Sequence, residues 1–161
     1  MLSIRLMRNE DLHHLAAIYV RAFANPEMNE KWTEQAAYAL LSDWLRRQPD
    51  LAFAAESDNR LVGAFVVGIR PWWDGNHLVD GELFVNLEDQ GRGIARSLIH
   101  KVVLTAVEKY APVVWESYTF RGQVFPLEWY KRLGFQEIEE WVMIRADVAK
   151  LLANLPGKTN C

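Results

Sequence analysis

Apolar and polar positions follow two different periods along this chain, and the switches between them outline its elements. Ser3 to Met7 alternates as a short strand. Leu12, Leu15, Ala16, Ile18, Tyr19 and Phe23 then recur at helical spacing behind Asn9 and Asp11, either of which can cap the helix, and Asn25-Pro26 stops it. Thr33 caps a second helix, with Glu34 in its first turn and Ala37, Leu40, Leu41, Trp44 and Leu45 on its inner face. Gln48-Pro49-Asp50 ends it. Leu51 to Glu56 and Leu61 to Ile69 predict two strands joined by the polar turn at residues 57–60, an antiparallel hairpin in which Gly63 and Gly68 weigh against regular pairing.

Residues 71–77 read as a loop and Leu78 to Val85 as a strand. Between Gly93 and Tyr110, Ile94, Leu98, Val102 and Ala106 recur every fourth residue, with Ala95, Ile99, Val103 and Val107 beside them, which predicts a helix with a wide core stripe. Pro112 breaks the chain. Val113 to Tyr118 reads as a strand, Pro126 to Leu133 as a short helix ended by Gly134, Phe135 to Ile144 as a closing strand, and Asp147 caps a last helix through Leu152. This order, with three strands in a row, favours an α/β (α+β) layered sheet over a doubly wound nucleotide fold. No repeat or linker divides residues 1–161, so a single domain is expected.

Composition narrows the classes. The 161 residues are half apolar, enough for one substantial core, and carry a net charge of −3 with no block of Lys or Arg, which argues against a nucleic-acid partner. The N-terminus does not resemble a signal peptide, and the longest apolar stretch, Leu61 to Ile69, is too short to cross a bilayer. No membrane partner and a cytoplasmic location are therefore expected. Cys161 is the only cysteine, in a tail from Pro156 that reads as frayed, and the histidines at 13, 14, 77 and 100 lack zinc-ligand spacing. No metal is expected.

The strand ending at Val85 runs through Gly91 and Gly93 into the long helix, a junction whose unpaired first-turn N–H groups and helix dipole suit a phosphate. A dinucleotide fingerprint would need a glycine where Arg96 stands. A Walker loop would need one at Leu152 ahead of Gly157-Lys158-Thr159, and a helix after it. What remains, Gln90-x-x-Gly93-x-Ala95, resembles the acetyl-CoA signature of the GNAT N-acetyltransferase superfamily, Arg/Gln-x-x-Gly-x-Gly/Ala. Trp129-Tyr130-Lys131-Arg132-Leu133-Gly134-Phe135 is similar to the Tyr-x-x-x-Gly-Phe segment that these enzymes carry after the acetyl-CoA helix. Asp80 to Val85 resembles the strand in which small-molecule members place an acidic residue a few positions before a Val.

This resemblance, spanning Ser3 to about Ile144, implies a mixed, mostly antiparallel central sheet with helices on both faces and a splayed strand pair that admits acetyl-CoA. It implies that the backbone at Phe84 and Val85 binds the pantetheine arm. The N–H groups of Gln90, Gly91, Arg92, Gly93, Ile94 and Ala95 would hold the pyrophosphate, with Arg92 and Arg96 within reach of CoA phosphates. Gln123 stands near a position where many members have an Asn that contacts the cofactor. The expected reaction is acetyl transfer to a small-molecule amine by direct attack in a ternary complex; a catalytically degenerate acyl-CoA sensor or interaction module and a peptide N-acetyltransferase are the alternatives.

Only about one alkylamine in a thousand is neutral at pH 7, and removing the proton costs roughly 4 kcal/mol. A base or water chain is needed. Glu82 is the candidate base, since it interrupts an apolar strand and alternation puts Asp80, Glu82 and Phe84 on one face. A solvated face, a pair with an Arg, or electrostatic binding of the ammonium fits Glu82 as well. Tyr130 occupies the family position of the general acid that protonates the leaving thiolate, with Tyr118 in reserve; packing of Tyr130 on a short helix is the plainer role. Trp32, Trp72, Trp73 and Asp80, with Trp44, Asp74 and His77 nearby in sequence, suggest an aromatic and acidic mouth for a cationic amine, although tryptophans equally plug cores. The apolar run Trp141-Val142-Met143-Ile144 offers an edge for a homodimer.

Overall fold

A computed structural model describes residues 1–24, 30–121 and 124–155. Asn25-Pro26, Gln123 and the tail from Pro156, with its Gly157-Lys158-Thr159, lie outside the described residues. The chain forms two compact units, Met1–Tyr118 and Thr119–Cys161.

The first unit is built on a five-stranded sheet in the order β1-β2-β3-β4-β5, comprising Leu2–Leu6, Ala52–Ser57, Arg60–Trp72, Gly75–Val85 and Val114–Glu116. The first four strands are antiparallel and the last pair is parallel. Because strand side chains alternate, the sheet has two apolar faces. Ala52, Ala54, Ala64, Val66 and Phe84 meet the inner stripes of α1 (Leu12–Phe23) and α2 (Glu34–Arg47). Phe53, Ala55, Phe65, Val67 and Val85 meet Ile94, Leu98, Val102 and Ala106 of α3 (Ile94–Tyr110) on the other face. The expected mixed sheet covered on both sides is the observed one. Of the companion stripe on α3, Ala95, Ile99 and Val103 are half-buried and Val107 is exposed, so the core stripe is narrower than its apolar pattern.

Thr33 caps α2 as expected, its hydroxyl accepting from the Ala36 N–H at 3.1 Å. Asp11 does not cap α1 with its side chain. Its buried carboxylate instead accepts from both terminal nitrogens of Arg5 on β1, at 2.7 and 2.8 Å, and from the Arg8 N–H. Arg5 in turn reaches Glu56 on β2 through Nε at 2.9 Å. Charge-assisted bonds thus fasten the first turn of α1 to two strands.

The segment from Pro71 to His77 is not a loop. β3 and β4 pair through Pro71↔Asn76 and Trp72↔Gly75, leaving Trp73 and Asp74 as a two-residue turn. Beyond Val66, β3 has β4 as its one strand neighbour among the described residues, and such an edge accommodates proline. Further along β4, Asp80 and Gly81 together oppose Val67, and both take left-handed backbone angles, φ 55° and 113°. This bulge reverses the alternation. Leu78 before it and Val85 after it both face α3, whereas Glu82 and Phe84 face α1. Of the expected shared face of Asp80, Glu82 and Phe84, the last two are on the α1 side, while Asp80 lies in the bulge itself.

β5 pairs with β4 only from His77↔Val114 to Val79↔Glu116 and ends where the bulge begins, three residues long instead of the expected six. From Glu82 to Val85, β4 has no strand on that side among the described residues. The two strands splay.

In the second unit, α4 (Val124–Arg132) ends at Gly134, whose φ of 102° suits a helix stop, with the Phe135 N–H returning to Tyr130 O at 3.1 Å. α5 (Val148–Asn154) is capped by Asp147, which accepts from the Lys150 N–H at 3.0 Å. The closing strand expected over residues 135–144 is not formed. A strand exists only through its neighbour, and this segment has no ladder partner among the described residues. Trp141, Val142, Met143 and Ile144 are exposed rather than arrayed along an edge, so the strand on which a homodimer was expected is not there.

Gly63 marks the tightest strand contact. A Cβ at this position would collide with the carbonyl oxygen of Phe84 and lie 3.0 Å from the Cα of Val85. Gly63→Ala is therefore expected to lower unfolding stability by about 2 kcal/mol in urea titrations, since backbone cannot yield as a flexible side chain can.

Candidate active site

The site begins with backbone atoms at the end of β4. The Asn86 N–H donates to Val62 O at 2.8 Å, which makes Gly63 and Val85 a pair that exchanges no hydrogen bonds. The N–H and C=O of Val85 therefore point away from β3, into the splay. The side-chain amide of Gln90 donates to that carbonyl at 3.2 Å. The N–H has no such partner among the described residues.

The chain then turns through a 3₁₀ segment at Leu87–Asp89 and enters α3 at Gly93. Gly91 and Gly93 sit at φ 76° and 78°, and nothing lies within 4 Å of where their Cβ atoms would be. The left-handed angle calls for glycine, and the surrounding space is open. No side chain caps α3, so the N–H groups of Ile94, Ala95 and Arg96 face outward without the partner a cap would supply. Arg96 is exposed.

Asp89 fixes this turn. It is 1% exposed and accepts two bonds from Arg60, both 3.0 Å, one from Asn86 Nδ2 at 3.0 Å and one from Arg92 at 3.2 Å. The bonds from Asn86 and Arg60 hold its pKa below the ordinary carboxylate range. Arg92, expected at the phosphate, spends one donor on Asp89 and keeps the rest of its guanidinium outward, 64% exposed. Asp89 went unnoticed in the sequence because its partner lies twenty-nine residues away. Only the three-residue spacing from Asn86 hinted at a shared turn.

Glu82 lies three residues before Val85, on the α1 face. It is half-buried, and among the described residues no arginine pairs with it. The hydroxyl of Tyr19 on α1 donates to its Oε2 at 2.9 Å, while Oε1 takes no hydrogen bond among the described residues. Burial, opposed by the Tyr19 bond and reinforced by the charges of Glu30 and Asp80, pushes its pKa up to about 7. Tyr19 is 2% exposed, with its ring against Phe23, edge-on to Trp32 at 5.0 Å and edge-on to Phe84 at 5.1 Å. Trp32 donates through Nε1 to Glu30 at 2.7 Å. Tyr19 and Glu30 thus join Glu82, Phe84 and Trp32, although the sequence marked Tyr19 only as core. The signal was its hydroxyl on an otherwise apolar stripe, which requires a partner.

Trp72 and Trp73 are not brought to this cluster. They sit at the tip of the β3–β4 hairpin, six residues beyond Val66, the partner of Glu82, or about 20 Å along the strand. Trp72 lies under the Arg70 guanidinium, 4.7 Å away, and Trp73 is 87% exposed. Asp74 is 2.8 Å from Nε2 of buried His77, and Nδ1 of that ring is 3.2 Å from Glu116, which also pairs with Arg70. Burial disfavours protonation of His77, and the two carboxylates outweigh it, raising its pKa. Tyr118 stands two residues past β5 and is 70% exposed. Tyr130 lies in the second unit, its ring 5.1 Å from those of Trp129 and Phe135.

A family model described as the acetyltransferase (GNAT) family matches residues 9–135. The chain belongs to this family. An uncharacterized N-acetyltransferase of Methanocaldococcus jannaschii is 28% identical over 148 residues; the match covers 85% of this chain, and the chain spans 62% of that relative's length. Among solved structures, a possible acetyltransferase from Clostridium difficile superimposes with a TM-score of 0.75 at 15% identity, covering 91% of this chain and 97% of the other. The aminoglycoside N-acetyltransferase AAC(6')-Iy, solved in complex with CoA, has a TM-score of 0.69 at 23% identity, covering 91% and 95%. The GNAT fold thus extends over most of the chain. No helix of the described residues is long and apolar enough to cross a membrane.

The raised pKa of Glu82 has a consequence for folding as well as chemistry. A carboxyl whose folded pKa is about 7, against 4.5 ordinarily, contributes stability below pH 4.5 that is lost as pH rises through 7. Relative to wild type, Glu82→Gln is expected to gain about 3 kcal/mol between pH 4.5 and pH 8.5. Urea unfolding of the two proteins at both pH values measures this.

Proposed function

We propose that this protein is an acetyl-CoA-dependent N-acetyltransferase whose acceptor is a primary amine on a small cationic molecule, of aminoglycoside or polyamine type. The observation that carries the reading is the place of Glu82, a half-buried carboxylate that accepts from Tyr19 and whose pKa burial pushes up to about 7, three residues before a backbone N–H that faces an open splay. Acetyl-CoA lies with its pantetheine arm along the free edge of β4 beside Phe84 and Val85. Its pyrophosphate rests on the N–H groups between Gln90 and Ala95, where the open space at Gly91 and Gly93 admits it. Arg92 and Arg96 face the remaining CoA phosphates.

In the ternary complex the acceptor ammonium gives a proton to Glu82, directly or through one water. The neutral nitrogen attacks the thioester carbon, and the carbonyl oxygen gains charge against the Val85 N–H. As the carbon–sulfur bond breaks, the CoA thiolate takes a proton from the Tyr118 phenol, and the surplus proton on the new amide nitrogen restores that phenol. The products are the acetamide, CoA and the proton that Glu82 returns to solvent. Holding the two reactants together supplies most of the acceleration.

Three features support a cationic acceptor: the carboxylates of Glu82 and Glu30, the ring of Trp32, and likeness to a fold whose solved examples include an aminoglycoside acetyltransferase. Trp72 and Trp73 are available to a longer acceptor only at its far end, whereas Asp80 is close enough for its charge to act on Glu82.

Thiol release with pooled amines tests the reading. The kcat/KM of a competent amine is expected to fall tenfold per pH unit below about pH 7. Glu82→Gln should lose about a hundredfold at pH 7.5 and show no such limb, while binding CoA as wild type does. Gly93→Asp should abolish CoA binding in calorimetry. Tight CoA binding without turnover across the amine panel would assign the chain a sensor role instead, and activity confined to peptides would assign it a protein substrate.

A further inference from the structure

We infer that Tyr19 is a positioning residue for this chemistry, holding the Glu82 carboxylate through Oε2 so that Oε1 alone is presented to the acceptor amine. The inference rests on the reading of Glu82 as base. Its ground is the geometry on α1. The Tyr19 ring is clamped by Phe23, Trp32 and Phe84, with little freedom to turn, and its hydroxyl has Glu82 as its hydrogen-bond partner at 2.9 Å. A glutamate side chain has three rotatable bonds, and burial alone would leave its carboxylate free to rotate or to turn from the splay. A fixed phenol removes that freedom.

The same bond sets proton affinity. A phenolic O–H donates to the charged carboxylate more strongly than to the acid, so it works against burial and the neighbouring charges of Glu30 and Asp80. Without it the carboxyl would stay protonated to higher pH and would accept the ammonium's proton only there. The phenol itself is not the acid that releases CoA, because burial and Glu82 drive its pKa far above the ordinary value.

Tyr19→Phe keeps the ring and deletes the bond. With Glu82 followed by carboxyl-carbon NMR, its titration midpoint is expected to move up by about one unit. The acid limb of kcat/KM should follow, giving an approximately eightfold loss at pH 6.5 and nearly none at pH 9, with CoA affinity unchanged. A merely structural tyrosine predicts a loss equal at every pH and an unmoved midpoint, and that result overturns the inference. If the midpoint moves but the limb of active enzyme does not, the hold of Tyr19 on Glu82 stands and Glu82 as base falls. Should the variant not fold, 3-fluorotyrosine throughout the chain tests the same bond with the opposite sign: a stronger donor lowers the Glu82 midpoint, and an unchanged midpoint counts against the inference.

Discussion

A strand that loses its neighbour must find other partners for its edge, and β4 meets this constraint at its most consequential point. The left-handed pair Asp80-Gly81 bends it away from β5, so the edge from Glu82 to Val85 has no ladder on that side. The carbonyl of Val85 is satisfied locally by Gln90, and its N–H is left facing the splay. Asp89 then keeps the open end from closing on itself. By drawing Arg60, Asn86 and Arg92 onto one buried carboxylate, it holds the turn that carries Gly91 and Gly93 and aims the start of α3. The bulge opens the edge, and the bonds to the buried Asp89 carboxylate keep the turn in register with it.

The bulge also decides which side chains meet. Without the extra residue, position 82 would fall on the α3 face with Leu78, among aliphatic side chains. The reversal instead delivers Glu82 to α1, where Tyr19 supplies a hydroxyl and Glu30 a second negative charge. Burial and like charge favour the protonated form, and the phenol favours the ionised one. Their balance leaves the carboxyl near neutrality, where a group can both take and surrender a proton. A single backbone irregularity thus serves the backbone edge and the side chain above it.

What the sequence made legible follows from the range of the interactions involved. The helices at Leu12–Phe23, Glu34–Arg47 and Ile94–Tyr110 are set by local periodicity, with a side-chain cap at the second alone, and all three appear where expected. The glycine turn before α3 was legible because φ near +77° is a requirement on one residue at a time. Strand limits were not, since they depend on partners far away. β5 stops at Glu116 because β4 bends, and residues 135–144, which have no ladder partner among the described residues, form no strand. Pro71 and Gly75 looked like loop residues and are paired, because an edge position and a two-residue turn tolerate both. Glu82 was found as an acid within an apolar strand. Its partner was hidden sixty-three residues upstream on a helix whose tyrosine fitted the core pattern perfectly well.

This division of labour accounts for a GNAT fold recognisable over nine-tenths of the chain at 15 to 23% identity. On the reading proposed here, the thioester is held by main-chain N–H groups at Val85 and along residues 90–95, and main-chain atoms place few demands on side-chain identity. Glycine at positions of positive φ and a strand edge held open are nearly all they need. On the same reading, acceptor chemistry depends instead on side chains from α1 and the segment before α2, Tyr19, Glu30 and Trp32, which can change without disturbing the sheet that carries Val85. Cofactor binding and acceptor choice would then be written in different parts of the molecule, the first in backbone geometry and the second in the side chains covering Glu82.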